Sequence, residues 1–155
     1  MGIDSKEGSI VVKASFLSRF FAWFLDGVIM GILAFVLALI IGLIAGLGAS
    51  TDSSILGFLS GVLILVMIIV LFLFQLVYFG YFWGKDGQSL GMKMLNMKVV
   101  RRNGESLSFW RAAFRGTIGY WISALIFYLG YIWAAFDSDQ EAWHDKIFDT
   151  WVVES

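Results

Sequence analysis

Two apolar runs decide what this chain can fold into. Residues 20–47 (FFAWFLDGVIMGILAFVLALIIGLIAGL) carry one charge, Asp26, and residues 55–83 (ILGFLSGVLILVMIIVLFLFQLVYFGYFW) carry none. Each exceeds the roughly 20 residues that cross a hydrocarbon core as a helix. At about 1.5 Å per residue each run reaches about 42 Å, so both are expected to tilt or to continue into the headgroup layer. The link at 48–54 (GASTDSS) is short and makes them an antiparallel hairpin. A third run, residues 117–136 (TIGYWISALIFYLGYIWAAF), is uncharged but looser, with Gly119 and Gly130 inside it. The first run is far longer than the apolar core of a cleaved leader and has no A-x-A site, so it reads as a retained helix.

Composition agrees with lipid as the solvent. Only 15% of the 155 residues are charged and 59% are hydrophobic, whereas a soluble domain is about a quarter charged. The lack of Cys removes disulfides and thiolate metal sites. The lack of Pro suits long helices. A single membrane domain over 1–155 is expected, with helix 1 at about 16–47 and helix 2 at about 55–83.

Lys and Arg set the orientation. Lys6, Lys13 and Arg19 lie in the N-terminal arm, none lies in the link, and residues 84–116 hold seven. The excess of basic residues on cytoplasmic loops places the N-terminus and 84–116 in the cytoplasm. Phe16, Phe20, Phe21, Trp23 and Phe24 begin helix 1, and Tyr78, Phe79, Tyr81, Phe82 and Trp83 finish helix 2, so both sets fall in one interfacial belt. Beside a membrane, the basic 84–116 stretch is expected to meet anionic headgroups, at about 1 kcal/mol per residue, and not nucleic acid.

That stretch has structure of its own. Leu95, Met97 and Val99 alternate with Asn96, Lys98 and Val100, and Asn103-Gly104 signals a type I′ hairpin over 94–108. The turn would set Arg102 opposite Glu105 and Val100 opposite Leu107. SFWRAAFRG (108–116) reads as an interfacial helix, Arg111 and Arg115 sharing a face, which opens the third segment at 109–136. The acidic tail, 137–155, has two readings. Three full crossings put it outside. Alternatively Thr150–Val153 is a strand paired with the cytoplasmic hairpin, and the third segment turns back near Tyr128–Gly130; this re-entrant version is favoured.

Asp26 needs a reason, because a carboxylate at that depth costs on the order of 2.5–3.5 kcal/mol on insertion scales. It must be paired, protonated or facing a polar cavity. Arg19 lies two helical turns away on the same stripe, with Trp23 between them. Gln75, the only amide in helix 2, is a second candidate partner. Two roles stay open for Asp26: a satisfied polar group that fixes packing, or a binding site for an ion or proton. Glycines at four-residue spacing, Gly27/Gly31, Gly42/Gly46, Gly57/Gly61 and Gly80/Gly84, would let backbones approach. Gly27 adjoins Asp26 and would admit a partner to it.

Soluble chemistry fails when checked. Residues 84–93 lack the order of a phosphate loop and its following helix. Asp137, Asp139 and Glu141 begin like a calcium loop but reach Ala142 and Phe148 where Gly and Glu belong. His144 is the only His, so no zinc set exists, and no Ser has a triad around it. No catalytic residue, metal or cofactor is expected.

Arg19 and Asp26 in helix 1, the apolar hairpin, GQSLGMKMLNMKVVRRNGESLSFWRAAFR and the closing WHDKIFDTWVV together resemble the RDD family, bacterial membrane proteins named for one Arg and two Asp. The resemblance covers about 14–153. It implies that Arg19, Asp26 and Asp145 are the signature residues, with Gly91, Val99, Gly104, Arg115 and Thr150 also fitting the pattern. Gly91-Met92 stands where many members have Gly-Lys, Asn96 where Gly is frequent, and Phe148-Asp149 where a smaller pair is common. The family implies a fold and little chemistry, with transport or accessory roles. It also suggests that His144 and Asp145 close over the cytoplasmic end of helix 1, with Arg19 or Arg115 pairing to Asp145. The reading is an integral membrane protein, all-α apart from a small hairpin. It would serve as a non-enzymatic subunit or adaptor that associates with itself or other subunits; the alternative is an oligomeric ion or proton transporter.

Overall fold

In the computed structural model the described residues are 2–3, 10–51 and 53–155, so Lys6 of the basic arm and Asp52 of the link lie outside them. Helix α1 spans Phe16–Ser50 and α2 spans Ser54–Lys85, each outrunning the apolar run that predicts it. Both are long and apolar enough to cross a membrane.

Two compact units divide the chain. Gly27–Phe74 holds the distal halves of α1 and α2. Its large side chains face outward, including Phe35, Leu43 and Phe58. Water would not tolerate such a surface, whereas lipid chains suit it. The turn is closed by the Thr51 hydroxyl donating to the Leu47 carbonyl (2.8 Å) and Ser53 N–H to the Gly48 carbonyl (2.9 Å). A Cβ at Gly48 would lie 2.9 Å from that of Leu56. The expectation that spaced glycines bring helices together needs correction here. A Cβ on Gly27, Gly31, Gly42, Gly46, Gly57 or Gly61 would meet nothing within 4 Å, because those faces look onto open surroundings. Gly80 and Gly84 do pack closely, against Phe109.

The second unit combines residues up to Asp26 with Gln75–Ser155. Two short strands, β1 (Gly2–Ile3) and β2 (Ile10–Val11), pair antiparallel near the N-terminus. After α2 come α3 (Leu90–Met94), β3 (Met97–Arg101), α4 (Phe109–Phe114), a π turn (Arg115–Gly119) and α5 (Tyr120–Ala124). Next are α6 (Leu129–Ile132), a 3-10 turn (Trp133–Ala135), α7 (Trp143–Phe148) and β4 (Thr150–Glu154). Trp83, Met97, Val99, Ala112 and Ala113 are fully buried at its centre.

The small sheet forms, but with another partner. β3 pairs antiparallel with β4, Val99 opposite Val152 and Arg101 opposite Thr150. Residues 105–108 form no strand, so the expected rungs Arg102–Glu105 and Val100–Leu107 are absent. The cause lies in the turn. A type I′ turn needs positive φ at both central residues; here only Gly104 (φ 82°) adopts it, and Asn103 does not. Gly104 N–H donates to the Arg101 carbonyl and Arg101 N–H to that of Glu105, both at 2.9 Å, so Arg101 faces Glu105. The chain then leaves the ladder, Leu107 turns inward, and β4 takes the edge.

The expected interfacial helix at 108–116 is the opening of a longer arm, since α4 runs through the π turn into α5. Beyond it the third segment bends by 104° between Phe109–Ala124 and Leu129–Ala135. Phe127 (φ 45°) and Tyr128 (φ 59°) make the reversal. Irregular backbone in lipid must still satisfy its polar groups. It does so here, with Tyr128 N–H donating to Ala124 and Leu129 N–H to Ile126. Gly130 lies so near Ser123 that a Cβ would come within 2.5 Å of its Cα.

The fold-back decides between the two tail topologies. The arm at Lys13–Ala14, strand β3 and strand β4 are joined by backbone bonds, so no complete crossing separates them. Single cysteines at Asn103 and Ser155, in a chain with none of its own, should therefore react with an impermeant maleimide from the same side of the membrane. Reaction from opposite sides would restore the three-crossing topology.

Candidate functional site

Two buried carboxylates organise the second unit. Asp145, in the first turn of α7, is fully buried. One oxygen, Oδ2, accepts from Arg19 Nη2 and from the backbone N–H of Ala142 (3.0 Å), while Oδ1 accepts from Arg115 Nη2. Arg19 Nη1 donates to the Gln140 carbonyl. Arg115, 1% exposed, also donates through Nε to Thr150 Oγ1 at 2.9 Å and stacks 4.6 Å from the Trp83 ring centroid. Thus Asp145 joins α1, the π turn and α7, and Arg115 extends the junction to β4. The π turn sits where Arg115 enters the core, and Gln75 Nε2 donates to the Gly116 carbonyl within it at 2.9 Å. Such widened turns often mark functional positions.

Charge follows from this geometry. Burial alone would raise the Asp145 carboxyl; the guanidinium groups of Arg19 and Arg115 overcome it and hold the group well below the usual carboxylate range. His144 goes the other way. Burial pushes it down to about 3; Asp145 opposes that, and Arg115 and Arg19 add to it. The imidazole is therefore neutral at physiological pH. It packs between Tyr120 and Tyr131, ring centroids 4.8 and 5.1 Å away, and its Nδ1 lies 2.9 Å from Ser123 Oγ.

Asp26 forms the second centre, 3% exposed. Tyr78 donates its hydroxyl to Oδ1 at 2.8 Å, Gly91 its backbone N–H to Oδ1 at 2.8 Å, and Ser89 its hydroxyl to Oδ2 at 2.5 Å. Ser89 is also the N-cap of α3, accepting from Met92 N–H at 3.3 Å. Helix α1 is thereby tied to α2 and to α3. Gly91 is required by space: a Cβ there would collide with the Ala22 carbonyl oxygen and lie 3.1 Å from Asp26 Oδ1.

The expected site residues thus separate into two groups. Arg19, Arg115, His144, Asp145 and Thr150 come together as one cluster, while Asp26 and Gly91 meet in another. Four expectations change. Arg19 pairs with Asp145 and not with Asp26. Gln75 serves the π turn and not Asp26. The glycine that admits a partner to Asp26 is Gly91, since the face of Gly27 is open. Arg115, counted among the basic residues facing headgroups, is buried instead. Among the described residues no group of His, Asp and Glu is arranged to hold a metal. Tyr78, Ser89, Ser123 and Trp83 went unseen as site residues. Ser89 carried a signal, a capping residue before a short helix; the other three are defined only by tertiary contacts.

Residues 13–149 match the model of the RDD family. The chain belongs to the RDD family. No curated protein and no solved structure matches it. In this RDD protein the Arg and two Asp expected from the resemblance are all buried or half-buried and all engaged.

Gly91→Ala should destabilise the protein in detergent by about 1–3 kcal/mol, as overpacking does, whereas Gly31→Ala should stay within about 1 kcal/mol. Equal melting temperatures for the two variants would contradict the close approach at Ala22. A pH effect follows from His144. Its folded value lies below its ordinary 6.5, so below about pH 6.5 the unfolded chain takes up a proton that the folded chain refuses. Stability is full above that pH and falls by up to about 1.4 kcal/mol per unit towards pH 3. Asp145 adds its own loss only below its ordinary 3.8. The melting temperature should therefore drop between pH 7.5 and 5, and His144→Gln should flatten the drop. An equally steep variant would remove His144 as the cause.

Proposed function

We propose that this RDD protein is a non-enzymatic subunit or adaptor of a larger assembly in the bacterial cytoplasmic membrane, with both termini and the small sheet in the cytoplasm. The observation that carries this is the full engagement of both signature carboxylates. Asp26 accepts three hydrogen bonds and Asp145 is held by two guanidinium groups and a backbone N–H. Groups so occupied brace a fold, and they are poorly placed to bind and release an ion in each cycle. The basic residues of 84–116 support the orientation. The open glycine faces of α1 and α2 support association, because another helix can approach a backbone there without collision.

Burial of a carboxylate within a membrane helix favours the second reading, an oligomeric ion or proton transporter using Asp26. One pair of measurements separates the two. The adaptor reading expects the protein to co-purify or crosslink with itself or with other membrane subunits, and Gly27→Leu with Gly31→Leu to weaken that association without lowering stability. It also expects proteoliposomes to show no pH-dependent flux. An isolated monomer throughout, with flux that Asp26→Asn abolishes, would replace it with the transporter.

A further inference from the structure

A half-open groove of about 310 Å³ lies along the start of α1, within the second unit. One wall is Phe16, Phe20 and Trp23, a spacing that sets all three on one face of the helix over about 10 Å of its axis. The other wall is Tyr128, Tyr131 and Ile132, from the reversal and α6. The walls meet where the Trp23 ring touches those of Tyr128 and Tyr131, with centroids 6.0 and 5.7 Å apart. Phe16, Trp23 and Tyr131 are half-buried, while Phe20, Tyr128 and Ile132 stand exposed at the rim.

The lining decides what the groove can hold. Its open surface is almost wholly carbon. Arg115 and His144 border it but are 1% and 3% exposed, and Arg19 is bonded to Asp145 and the Gln140 carbonyl. A charged headgroup therefore finds no counter-group there, and water finds few of the polar partners that hold it in a cavity. A helix of another subunit is too thick to enter. One turn, about 10 Å across and about 5.4 Å long, takes roughly 400 Å³, more than the groove encloses. A flexible hydrocarbon chain is thin enough, and lipid supplies it at the rim. The rim continues into residues exposed on the apolar surface, Phe21 and Phe24 on α1 and Leu125 and Phe127 beside the reversal.

We propose that this groove holds one acyl chain of a bilayer phospholipid, taken in past Phe20, Tyr128 and Ile132 and laid against Phe16, Trp23 and Tyr131. The chain is recognised and the headgroup is not. The site needs neither a partner subunit nor the adaptor role, so its test stands apart from that reading. The full chain is reconstituted in phosphatidylcholine vesicles with a trace of phosphatidylcholine bearing a mid-chain diazirine, and the photolabelled residues are mapped by mass spectrometry. Lipid that only surrounds the protein labels exposed residues such as Phe35 and Leu43 most. A held chain should label the half-buried Phe16, Trp23 or Tyr131 at least five-fold above them. Phosphatidylglycerol carrying the same diazirine chain should label the groove to the same extent, within two-fold. Ile132→Trp and, on the opposite wall, Phe20→Trp each put a larger ring at the exposed rim. Each should cut groove labelling five-fold or more, leaving the melting temperature and the labelling of Phe35 and Leu43 unchanged. Label confined to exposed residues, groove label that follows the headgroup, or full groove labelling in both variants would each overturn the proposal. So would groove label lost selectively from crosslinked dimers, which would assign the groove to a second copy of the chain.

Discussion

Within a bilayer, apolar surface gains little by leaving lipid for protein, so hydrophobic burial cannot by itself hold a bent segment against its neighbours. In this protein the restraint is the buried carboxylate of Asp145 between Arg19 and Arg115. Arg19 belongs to α1, Arg115 to the π turn, and Asp145 to α7, so one side chain ties three stretches far apart in sequence. The arms of the third segment, the short α7 and the strand that follows all depend on that junction. Replacing such a group with a neutral one would leave two buried guanidinium groups without their counter-ion, which is among the costlier changes a fold can suffer.

A buried ion pair is nevertheless weak evidence of net stability, because desolvation offsets much of the attraction. Its stronger effect is on topology. The third run is long enough on composition to be read as a full crossing, and a full crossing would carry the tail to the other side. There Asp145 could not meet Arg19, and Thr150 could not meet Arg115. The pair therefore discriminates against the straight alternative. The reversal at Phe127 and Tyr128, with left-handed backbone at two bulky residues, is a strained arrangement that persists only where surrounding contacts hold it.

What the sequence made legible follows the range of the interactions. The two long helices were readable because apolar length alone sets them, and the turn-back near Tyr128–Gly130 because Thr150–Val153 needed a strand partner in the segment that follows helix α2. The hairpin at 94–108 misled for a local reason. Asn-Gly favours type I′, yet Arg101 bonds to Glu105 through a turn with only Gly104 left-handed, and the better strand partner lies 50 residues on. Partner assignments for polar residues were the least readable. Helical spacing placed Arg19 above Asp26 on one stripe, but a stripe does not say which other chain segments face it. Tyr78 and Ser89 reach Asp26, and Asp145 reaches Arg19, only once the ends of α1 and α2 have been brought together.

The two acids also differ in the kind of partner they have, and that difference bears on what each can do. Asp26 is surrounded by neutral donors, a phenol, a hydroxyl and a backbone N–H. These can accommodate a carboxylate by hydrogen bonding without a counter-charge nearby, as befits a group set into a membrane helix. Asp145 instead has two full positive charges and supplies only one negative charge in return. Asp26 is complete as it stands, whereas in the Asp145 cluster Arg115 Nη1 has no hydrogen-bond partner among the described residues.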